Sequence, residues 1–314
     1  MPVSVSDRRA LLRRVLMLGA AGMLPVHVQA QPSSSAAAPL TRPIPSSGEP
    51  LPLVGLGSWI TFNVGNERAA REQCADVMQA FFGAGGQLID SSPMYGSSQE
   101  VIGDGLRSRK LLPRVFSADK VWVSPAARGP AQIDTSSSRW GVPRFDLLQV
   151  HNLLSWQDHL VSLFAMKAAG QLRYVGISTS EGRRHAEVEQ IMRSQPLDFV
   201  QITYSLHDRR VEERILPLAQ DRGIAVIANR TFEQGDMLRV LARHPLPAWA
   251  AEVQCSSWAQ FALKFAISHP AVTCAIPATT RVDHVLENLA VATGRLPDAA
   301  ARARMAAHAR KLLT

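Results

Sequence analysis

The stretch that decides the fold runs Phe145-Asp146-Leu147-Leu148-Gln149-Val150-His151, continues through an amphipathic segment at residues 158–169, and ends with Tyr174-Val175-Gly176-Ile177-Ser178. Each apolar run is short and almost unbroken, as in a strand that is buried on both faces of a sheet. The segment between them places apolar residues three and four positions apart, which predicts a helix. A strand, a helix and a second strand in this order predict a parallel β-α-β unit.

The same alternation extends in both directions along the chain. Eight short apolar runs, bounded by Gly, Pro or polar residues, lie at residues 53–57, 87–91, 115–121, 145–151, 174–178, 199–203, 225–229 and 273–277. Eight strands that alternate with helices predict an α/β protein with a (β/α)8 TIM-barrel fold. The alternative is an open doubly wound sheet, which requires a glycine-rich phosphate loop; Gly55-Leu56-Gly57 lacks the third glycine of that motif.

Polar residues follow the apolar part of most of these runs. They are Asp90, Lys120, His151, Ser178 with Thr179, Gln201 with Tyr204, and Asn229 with Arg230. The C-terminal ends of the strands of a barrel all lie on one face, and that face carries the active site. The sequence therefore predicts that these side chains converge in one site, whatever family the chain belongs to.

Four residues near these ends form a set that is suited to proton transfer. Tyr95 is an acid with a tunable pKa, Lys120 is a cation that can lower this pKa, Asp90 can hold the cation, and His151 can orient a substrate. Three of them have a structural alternative: Lys120 in an ion pair, His151 as a hydrogen-bonded core residue, and Tyr95 as loop packing. A carbonyl reductase needs such a set, because the oxyanion formed by hydride addition must be protonated.

With these residues in place, the chain resembles the aldo/keto reductase superfamily over about residues 50 to 290. The motifs that carry the resemblance are Gly55-Leu56-Gly57-Ser58-Trp59, Ile89-Asp90-Ser91-Ser92-Pro93-Met94-Tyr95-Gly96, Lys120-Val121-Trp122, Asp146-Leu147-Leu148-Gln149-Val150-His151-Asn152, Val175-Gly176-Ile177-Ser178, Val200-Gln201-Ile202-Thr203-Tyr204-Ser205 and Ile276-Pro277 through Glu287-Asn288. The resemblance implies an NAD(P)H-dependent enzyme that reduces an aldehyde or ketone. Its catalytic tetrad maps onto Asp90, Tyr95, Lys120 and His151, with Tyr95 as the proton donor and Lys120 depressing its pKa.

A cofactor site is expected from the same resemblance and from the residues around it. The predicted cofactor-binding residues are Ser58, Asp90, Ser178, Thr179, Gln201, Arg230, Thr279, Arg281, Glu287 and Asn288, and the predicted substrate pocket contains Trp59, Trp122 and Asn152.

Two departures from the family pattern concern the cofactor. Asn229-Arg230 stands where the family often has an aromatic residue that stacks on the nicotinamide, so Arg230 is a candidate for stacking or for binding phosphate. Ala278 and His284 stand where NADP-preferring members have basic residues. Arg281 is the nearest cation, and we expect it to bind the 2′-phosphate of NADP, with NAD as the alternative cofactor.

The first 30 residues have the layout of an export signal. Arg8-Arg9 precedes an apolar run at residues 15–24, Pro25 breaks this run, and Ala30 provides a small residue for cleavage. The pattern resembles a twin-arginine signal, which predicts a periplasmic protein that contacts an export machinery through residues 1–30. The run is too short for a stable membrane anchor. The alternative is a surface helix with a basic end.

The remaining boundaries follow from composition. Residues 31–48, rich in Ser, Ala and Pro, predict a flexible linker, which leaves residues 49–314 for the barrel. The formal charge is +8, of which residues 1–30 contribute +3, and no basic tract alternates with aromatic residues, so nucleic acid is not an expected partner. The three cysteines suggest neither a disulfide framework nor a metal site.

Two rival functions stay open from the sequence. An exported barrel of this family could bind nicotinamide in a sensing or auxiliary role with little turnover. A barrel hydrolase would require two opposed carboxylates or a metal set, and Asp90 with Lys120 and Tyr95 fits neither.

Overall fold

The computed structural model describes residues 38–313. The predicted export signal at residues 1–30 and the first part of the predicted linker lie outside the described residues. Among residues 38–313, no helix has both the length and the apolar character that crossing a membrane requires.

Ten strands form two sheets within the described part of the chain. They are β1 (Thr41–Pro43), β2 (Pro50–Pro52), β3 (Leu56–Gly57), β4 (Leu88–Asp90), β5 (Phe116–Val121), β6 (Leu147–His151), β7 (Tyr174–Ser178), β8 (Phe199–Thr203), β9 (Ala225–Asn229) and β10 (Val272–Ala275). Strands β3 to β10 each pair in parallel with the next strand along the chain. All eight predicted strands are present, and the (β/α)8 TIM-barrel prediction is confirmed.

Helices connect successive strands and surround the barrel. They are α1 (Arg68–Gly83), α2 (Ser98–Ser108), α3 (Gly129–Trp140), α4 (Trp156–Ala168), α5 (His185–Ser194), α6 (Ile215–Arg222), α7 (Asp236–Leu241), α8 (Trp258–Ile267), α9 (Val282–Ala290) and α10 (Ala299–Leu313). Their apolar faces pack on the outward side chains of the strands in one continuous core.

The barrel closes between its first and last strands. Isolated parallel bridges join Val54 to Ala275 and Gly57 to Ala278. A Cβ atom on Gly57 would lie 2.8 Å from the carbonyl oxygen of Ile276, so glycine permits the close approach of the two backbones at this seam.

An antiparallel hairpin of β1 and β2 covers the N-terminal end of the barrel. Ile44 and Leu51 are fully buried against the side chains inside the barrel. The hairpin begins inside residues 31–48, for which the sequence predicts a flexible linker. Residues 41–48 are instead part of the folded unit, because Ile44 supplies apolar burial that the Ser- and Pro-rich composition hides.

The barrel interior has two layers, because alternate residues of each strand face inward. The lower layer, at the hairpin end, is apolar and consists of Ile44, Leu51, Leu88, Phe116, Ala118, Leu147, Tyr174, Phe199, Ala225, Ile227, Cys274 and Ile276. Two or four positions further along, the same strands carry the upper layer: Asp90, Lys120, Gln149, His151, Ser178, Gln201, Thr203 and Asn229. The period of two therefore places polar chemistry directly above an apolar floor.

Candidate active site

A buried ion pair forms the centre of the upper layer. Lys120 Nζ lies 2.6 Å from Asp90 Oδ2 and donates a second hydrogen bond to the carbonyl oxygen of Ser91 at 2.7 Å. Both side chains are almost fully buried. Burial lowers the pKa of Lys120, but the adjacent Asp90 carboxylate opposes this, and the net direction is upward. Lys120 is therefore a fixed ammonium ion inside the barrel.

Neighbouring strands hold the Asp90 carboxylate in place. Gln201 Nε2 donates to Asp90 Oδ1 at 2.7 Å, and Gln149 Nε2 approaches the same oxygen at 3.3 Å. Ser58 Oγ donates to the Asp90 carbonyl oxygen at 2.8 Å. Asp90 thus has donors from β6, β8 and the segment after β3, so both the carboxylate and its strand are fixed.

Tyr95 lies in the loop between β4 and α2, above the ion pair. Its ring centroid is 5.3 Å from Lys120 Nζ. Burial raises the pKa of Tyr95, and the nearby Lys120 ammonium only partly opposes this rise. The resemblance implies that Lys120 depresses this pKa, and its charge acts in that direction, but desolvation of the phenolate outweighs the cation. Tyr95 consequently keeps its proton at neutral pH.

His151 faces Tyr95 from the end of β6. The two rings meet edge to face with centroids 5.7 Å apart, and His151 Nδ1 lies 2.7 Å from Ser92 Oγ. Burial, and secondarily Lys120, lowers the pKa of His151 to about 2. The imidazole is therefore neutral, which suits a hydrogen-bonding role and excludes it as a proton source near neutral pH.

A cavity of about 940 Å³ opens above these residues. Of the residues predicted from the sequence, it is lined by Ser58, Trp59, Asp90, Tyr95, His151, Asn152, Ser178, Thr179, Gln201, Arg230, Thr279, Glu287 and Asn288. Lys120 lies within reach of Tyr95 below the cavity floor. The structure therefore brings together the predicted tetrad and most of the predicted cofactor residues, as the strand-end argument expects.

Comparison with known proteins assigns the family. The model of the aldo/keto reductase family matches residues 53–307. The chain belongs to this family. The match spans the whole barrel from the end of the hairpin into α10, and includes every member of the predicted tetrad.

Similar proteins include two named as methylglyoxal reductases. A methylglyoxal reductase of Escherichia coli is 27% identical over 248 residues, which cover 77% of this chain and 85% of that protein. An NADH-specific methylglyoxal reductase of the same organism is 25% identical, over 66% of this chain and 72% of its own length. The crystal structure of an aldo-keto reductase from Klebsiella pneumoniae in complex with NADPH has a TM-score of 0.73 and 25% identity, covering 85% of this chain and 94% of that chain.

These findings confirm the predicted enzyme class, an NAD(P)H-dependent carbonyl reductase, and do not favour a purely sensing role. Within residues 38–313 no group of three or more His, Cys, Asp and Glu side chains could hold a metal ion. All three cysteines are free and buried.

The reductase cavity has the donors that a dinucleotide requires. The hydroxyl oxygens of Ser178, Thr179 and Thr231 are buried without a hydrogen-bond partner, and all three residues line the cavity. Buried polar atoms without partners are rare in native proteins, so these hydroxyls are suited to a polar ligand. Together with the size of the cavity, they fit a nicotinamide cofactor.

Asn229, the last residue of β9, and Arg230 occupy the position where the family often has an aromatic residue. Asn229 Nδ2 donates to the Thr179 carbonyl oxygen at 2.9 Å, and Asn229 Oδ1 accepts from Thr203 Oγ1 at 2.9 Å. These bonds hold the amide among the strands. Arg230 stands 5.9 Å above the Trp59 ring and pairs with Glu181 at 3.0 Å. The position therefore presents a cation to the cavity.

Besides Lys120, which lies below the floor, two predicted site residues do not line the cavity. Arg281 precedes α9, is exposed, and turns its guanidinium to Asp283 in a separate surface depression. The local acidic partner decides the direction of its side chain, and His284 lines the cavity instead. Trp122 is 39% exposed, and the side-chain amide of Gln132 hydrogen-bonds to both its backbone N–H and its carbonyl oxygen.

Several lining residues were missed by sequence reasoning. Glu181, Arg183 and Arg184, all in the loop after β7, line the cavity, and Arg184 donates to the Asn152 carbonyl oxygen at 2.7 Å. Their position after a barrel strand was the available signal, because the loops at this face build the site. Gln149, which approaches the Asp90 carboxylate, could also have been found from the sequence, because it lies two positions before His151 on the same strand and therefore also faces inward.

Proposed function

We propose that this reductase transfers a hydride from NADPH to the carbonyl carbon of a small aldehyde or ketone while Tyr95 protonates the carbonyl oxygen. The observation that carries the proposal is a protonated Tyr95 at the floor of the cavity, with the Lys120 ammonium on one side and a neutral His151 on the other.

When bound, the nicotinamide supplies the hydride; the protein supplies proton transfer and position. Tyr95 donates its hydroxyl proton, and Lys120 stabilises the phenolate that this leaves. Asp90 and its amide donors keep Lys120 in place. Ser92 Oγ also accepts from the backbone N–H of Met94 at 3.3 Å, so its own proton is free for His151 Nδ1. The Nε2 proton of His151 is then available to orient the carbonyl oxygen.

The proposed substrate class is small aldehydes, including α-oxoaldehydes. Two similar proteins are methylglyoxal reductases. Close to Tyr95, Trp59 and Met94 offer apolar surface, which favours a compact substrate with a short apolar part. Arg183 forms an ion pair with Glu181, and Arg184 forms one with Glu187. Because both arginines already have acidic partners, the substrate needs no anionic group to pair with them.

The proposed cofactor preference is NADP, with NAD as the alternative. A structural relative binds NADPH, whereas one sequence relative is NADH-specific. Arg281 and His284 are the basic residues close to the predicted adenine-binding residues Glu287 and Asn288. Arg281 can contact a 2′-phosphate only after its guanidinium leaves Asp283, so Asp283 limits the preference for NADP over NAD.

Multiple-turnover kinetics test the proposal. The purified protein, comprising residues 38–314, is mixed with NADPH or NADH and with methylglyoxal in small molar excess over the cofactor. Consumption of the reduced cofactor is followed by absorbance. Many turnovers per active site are expected, faster with NADPH. Cofactor binding with no more than one turnover, across a panel of aldehydes and ketones, would instead support a sensing role.

We also propose that residues 1–30 direct export to the periplasm by a twin-arginine route, and that residues 31–37 belong to a linker. The support is the order of Arg8-Arg9, the apolar run and Ala30. Replacing both arginines with lysine should leave the precursor in the cytoplasm and stop cleavage near Ala30, as followed by fractionation and mass spectrometry. A mature form that starts near Gln31 in that variant would rule out recognition of the arginine pair.

A further inference from the structure

The proposed mechanism leaves one buried carboxylate of β5 unused. Asp119 is fully buried and immediately precedes Lys120. Because adjacent residues of a strand point to opposite faces, Lys120 faces the barrel interior and Asp119 faces the helices outside. Its contacts agree with this, since they come from α2 and α3.

Three donors hold the Asp119 carboxylate. Its Oδ1 accepts from the backbone N–H of Lys120 at 2.7 Å. Its Oδ2 accepts from Gln99 Nε2 at 2.8 Å and from Trp140 Nε1 at 2.6 Å. Burial raises the pKa of Asp119 to about 7, with the hydrogen bonds and the nearby Lys120 acting in the opposite direction. The indole and the backbone N–H can only donate, so the site is built for an acceptor.

Gln99 connects this carboxylate to the loop that carries Tyr95. It is the second residue of α2, which begins where the loop ends. The preceding residue, Ser98, donates its backbone N–H to the Tyr95 carbonyl oxygen at 3.1 Å, and its hydroxyl lies 3.1 Å from Ser91 Oγ. Asp119 therefore joins the strand of Lys120 to the helix that fixes the Tyr95 loop.

The charged groups around Asp119 lie on both sides of β5. Outside the barrel, Arg139 Nη1 donates to Gln99 Oε1 at 3.3 Å and its Nε pairs with Glu100 at 3.3 Å. Inside are Lys120, Asp90 and Tyr95. The negative charge of Asp119 acts to raise the pKa of both Tyr95 and Lys120, which couples the outer carboxylate to the proton donor.

We propose that Asp119 is a positioning residue of this reductase: it ties the backbone of Lys120 to the helix that follows the Tyr95 loop, and its negative charge makes Tyr95 a weaker acid. The proposal rests on the proposed role of Tyr95 as proton donor. Charge and tether are separable, because Gln99 contributes only to the tether whereas Asp119 contributes to both.

The first experiment replaces Asp119 with Asn in protein labelled with 3-fluorotyrosine, whose phenol is more acidic than that of tyrosine. The chain has three tyrosines, so the ¹⁹F NMR signal of residue 95 is assigned by its loss in Tyr95→Phe. Removal of the anion should lower the pKa of Tyr95 by about 0.5–1 unit. The alkaline limb of kcat/KM should move to lower pH by the same amount, because the acid must be protonated, and kcat should fall several-fold.

Asp198→Asn is the matched control. Asp198 is also buried, accepts a hydrogen bond from the Val175 backbone N–H at 2.9 Å and pairs with Lys167, but it lies immediately before β8, near the hairpin end. The Asp198→Asn variant should be less stable than the wild type, but the pKa of its Tyr95 should not change. Equal shifts in the two variants, or wild-type values of both the pKa and kcat in Asp119→Asn, would overturn the proposal.

Gln99→Ala tests the tether alone and also serves if Asp119→Asn does not fold. It should lower kcat several-fold with little change in KM and leave the pKa of Tyr95 at the wild-type value. Wild-type kcat in Gln99→Ala would contradict the tether. The NMR titration needs no turnover, so an absence of carbonyl reduction by the wild type would reject the proposed function while the coupling of Asp119 to Tyr95 is still decided.

Discussion

The two layers inside the barrel are built from the same strands and have opposite properties. In the lower layer, Phe116, Tyr174 and Phe199 pack ring against ring, with centroids 5.5 to 6.3 Å apart. In the upper layer, two positions past Phe199, Gln201 binds Asp90, which in turn binds Lys120. The lower layer buries apolar area, which stabilises the fold, whereas the upper layer buries an ion pair, which is a weak source of stability.

This difference teaches that stability and chemistry occupy separate positions of one repeating pattern. A substitution in the lower layer should affect unfolding and spare the chemistry of the molecules that remain folded. A substitution in the upper layer that leaves no buried charge unpaired should impair the chemistry and have little effect on unfolding. The following predictions test this separation, in order of expected size.

Phe199→Ala should give the largest effect on stability. The fully buried ring contacts both other aromatic residues of the lower layer, so its removal leaves a cavity and should cost about 3–5 kcal/mol of unfolding free energy. Urea unfolding measures this cost. The kcat of the folded fraction, assayed well below the melting temperature, should stay within about twofold of wild type, and a loss of kcat as large as that of an upper-layer variant would break the comparison.

Tyr95→Phe should give the converse result. It keeps the ring and removes the proton donor, so carbonyl reduction should fall by roughly a hundredfold or more with little change in cofactor affinity. Steady-state kinetics and a fluorescence titration with NADPH measure the two quantities, and the urea midpoint serves as the stability control. Wild-type rates with any accepted aldehyde would remove Tyr95 from the mechanism.

His151 should make stability depend on pH on the acid side. Its pKa falls from 6.5 in the unfolded chain to about 2 in the fold, so the unfolded state binds the extra proton. Stability should therefore decrease as pH falls below 6.5, with a contribution of up to about 1.4 kcal/mol per pH unit. Unfolding of the wild type and of His151→Gln between pH 7 and pH 5 measures the slope. Identical slopes would show that His151 is not buried as a neutral base.

The pair of Arg281 and Asp283 should give the smallest effect, because both side chains are exposed. Asp283→Asn frees the guanidinium and removes an anion, and should strengthen NADPH binding about twofold to fivefold with NADH nearly unchanged. Arg281→Ala should weaken NADPH binding by a similar factor. Equal changes for the two cofactors, in fluorescence titrations of both variants, would mean that this pair does not discriminate the 2′-phosphate.

The sequence predicted the parts of this structure that follow from periodicity. The eight strands, the barrel and the convergence of Asp90, Lys120 and His151 all depend on the period of two and on the rule that strands end at one face. The hairpin was not predicted, because Thr41–Pro43 and Pro50–Pro52 have only three residues each and contain proline.

Side-chain directions were outside the reach of sequence. Ser97 stands directly before α2, yet its side chain makes no cap bond to that helix, and its hydroxyl instead accepts from the Gly65 N–H. Likewise Arg281 turns to Asp283 rather than to the cavity. For Ser97 the fold brings the partner close, whereas Asp283 lies two residues from Arg281 along the chain; in neither case does sequence spacing show which hydrogen bond forms.

The most direct test of the central claim follows the hydride itself. The protein is incubated with methylglyoxal, or with the best aldehyde of the kinetic panel, and with NADPH in which deuterium replaces both hydrogens at nicotinamide C4. The product is analysed by mass spectrometry and ¹H NMR. The account predicts one deuterium per product molecule, on the former carbonyl carbon, and roughly a hundredfold less of this product when Tyr95→Phe is incubated for the same short time. Product without deuterium on that carbon, or cofactor bound by the wild type and never oxidised by any carbonyl compound, would contradict it.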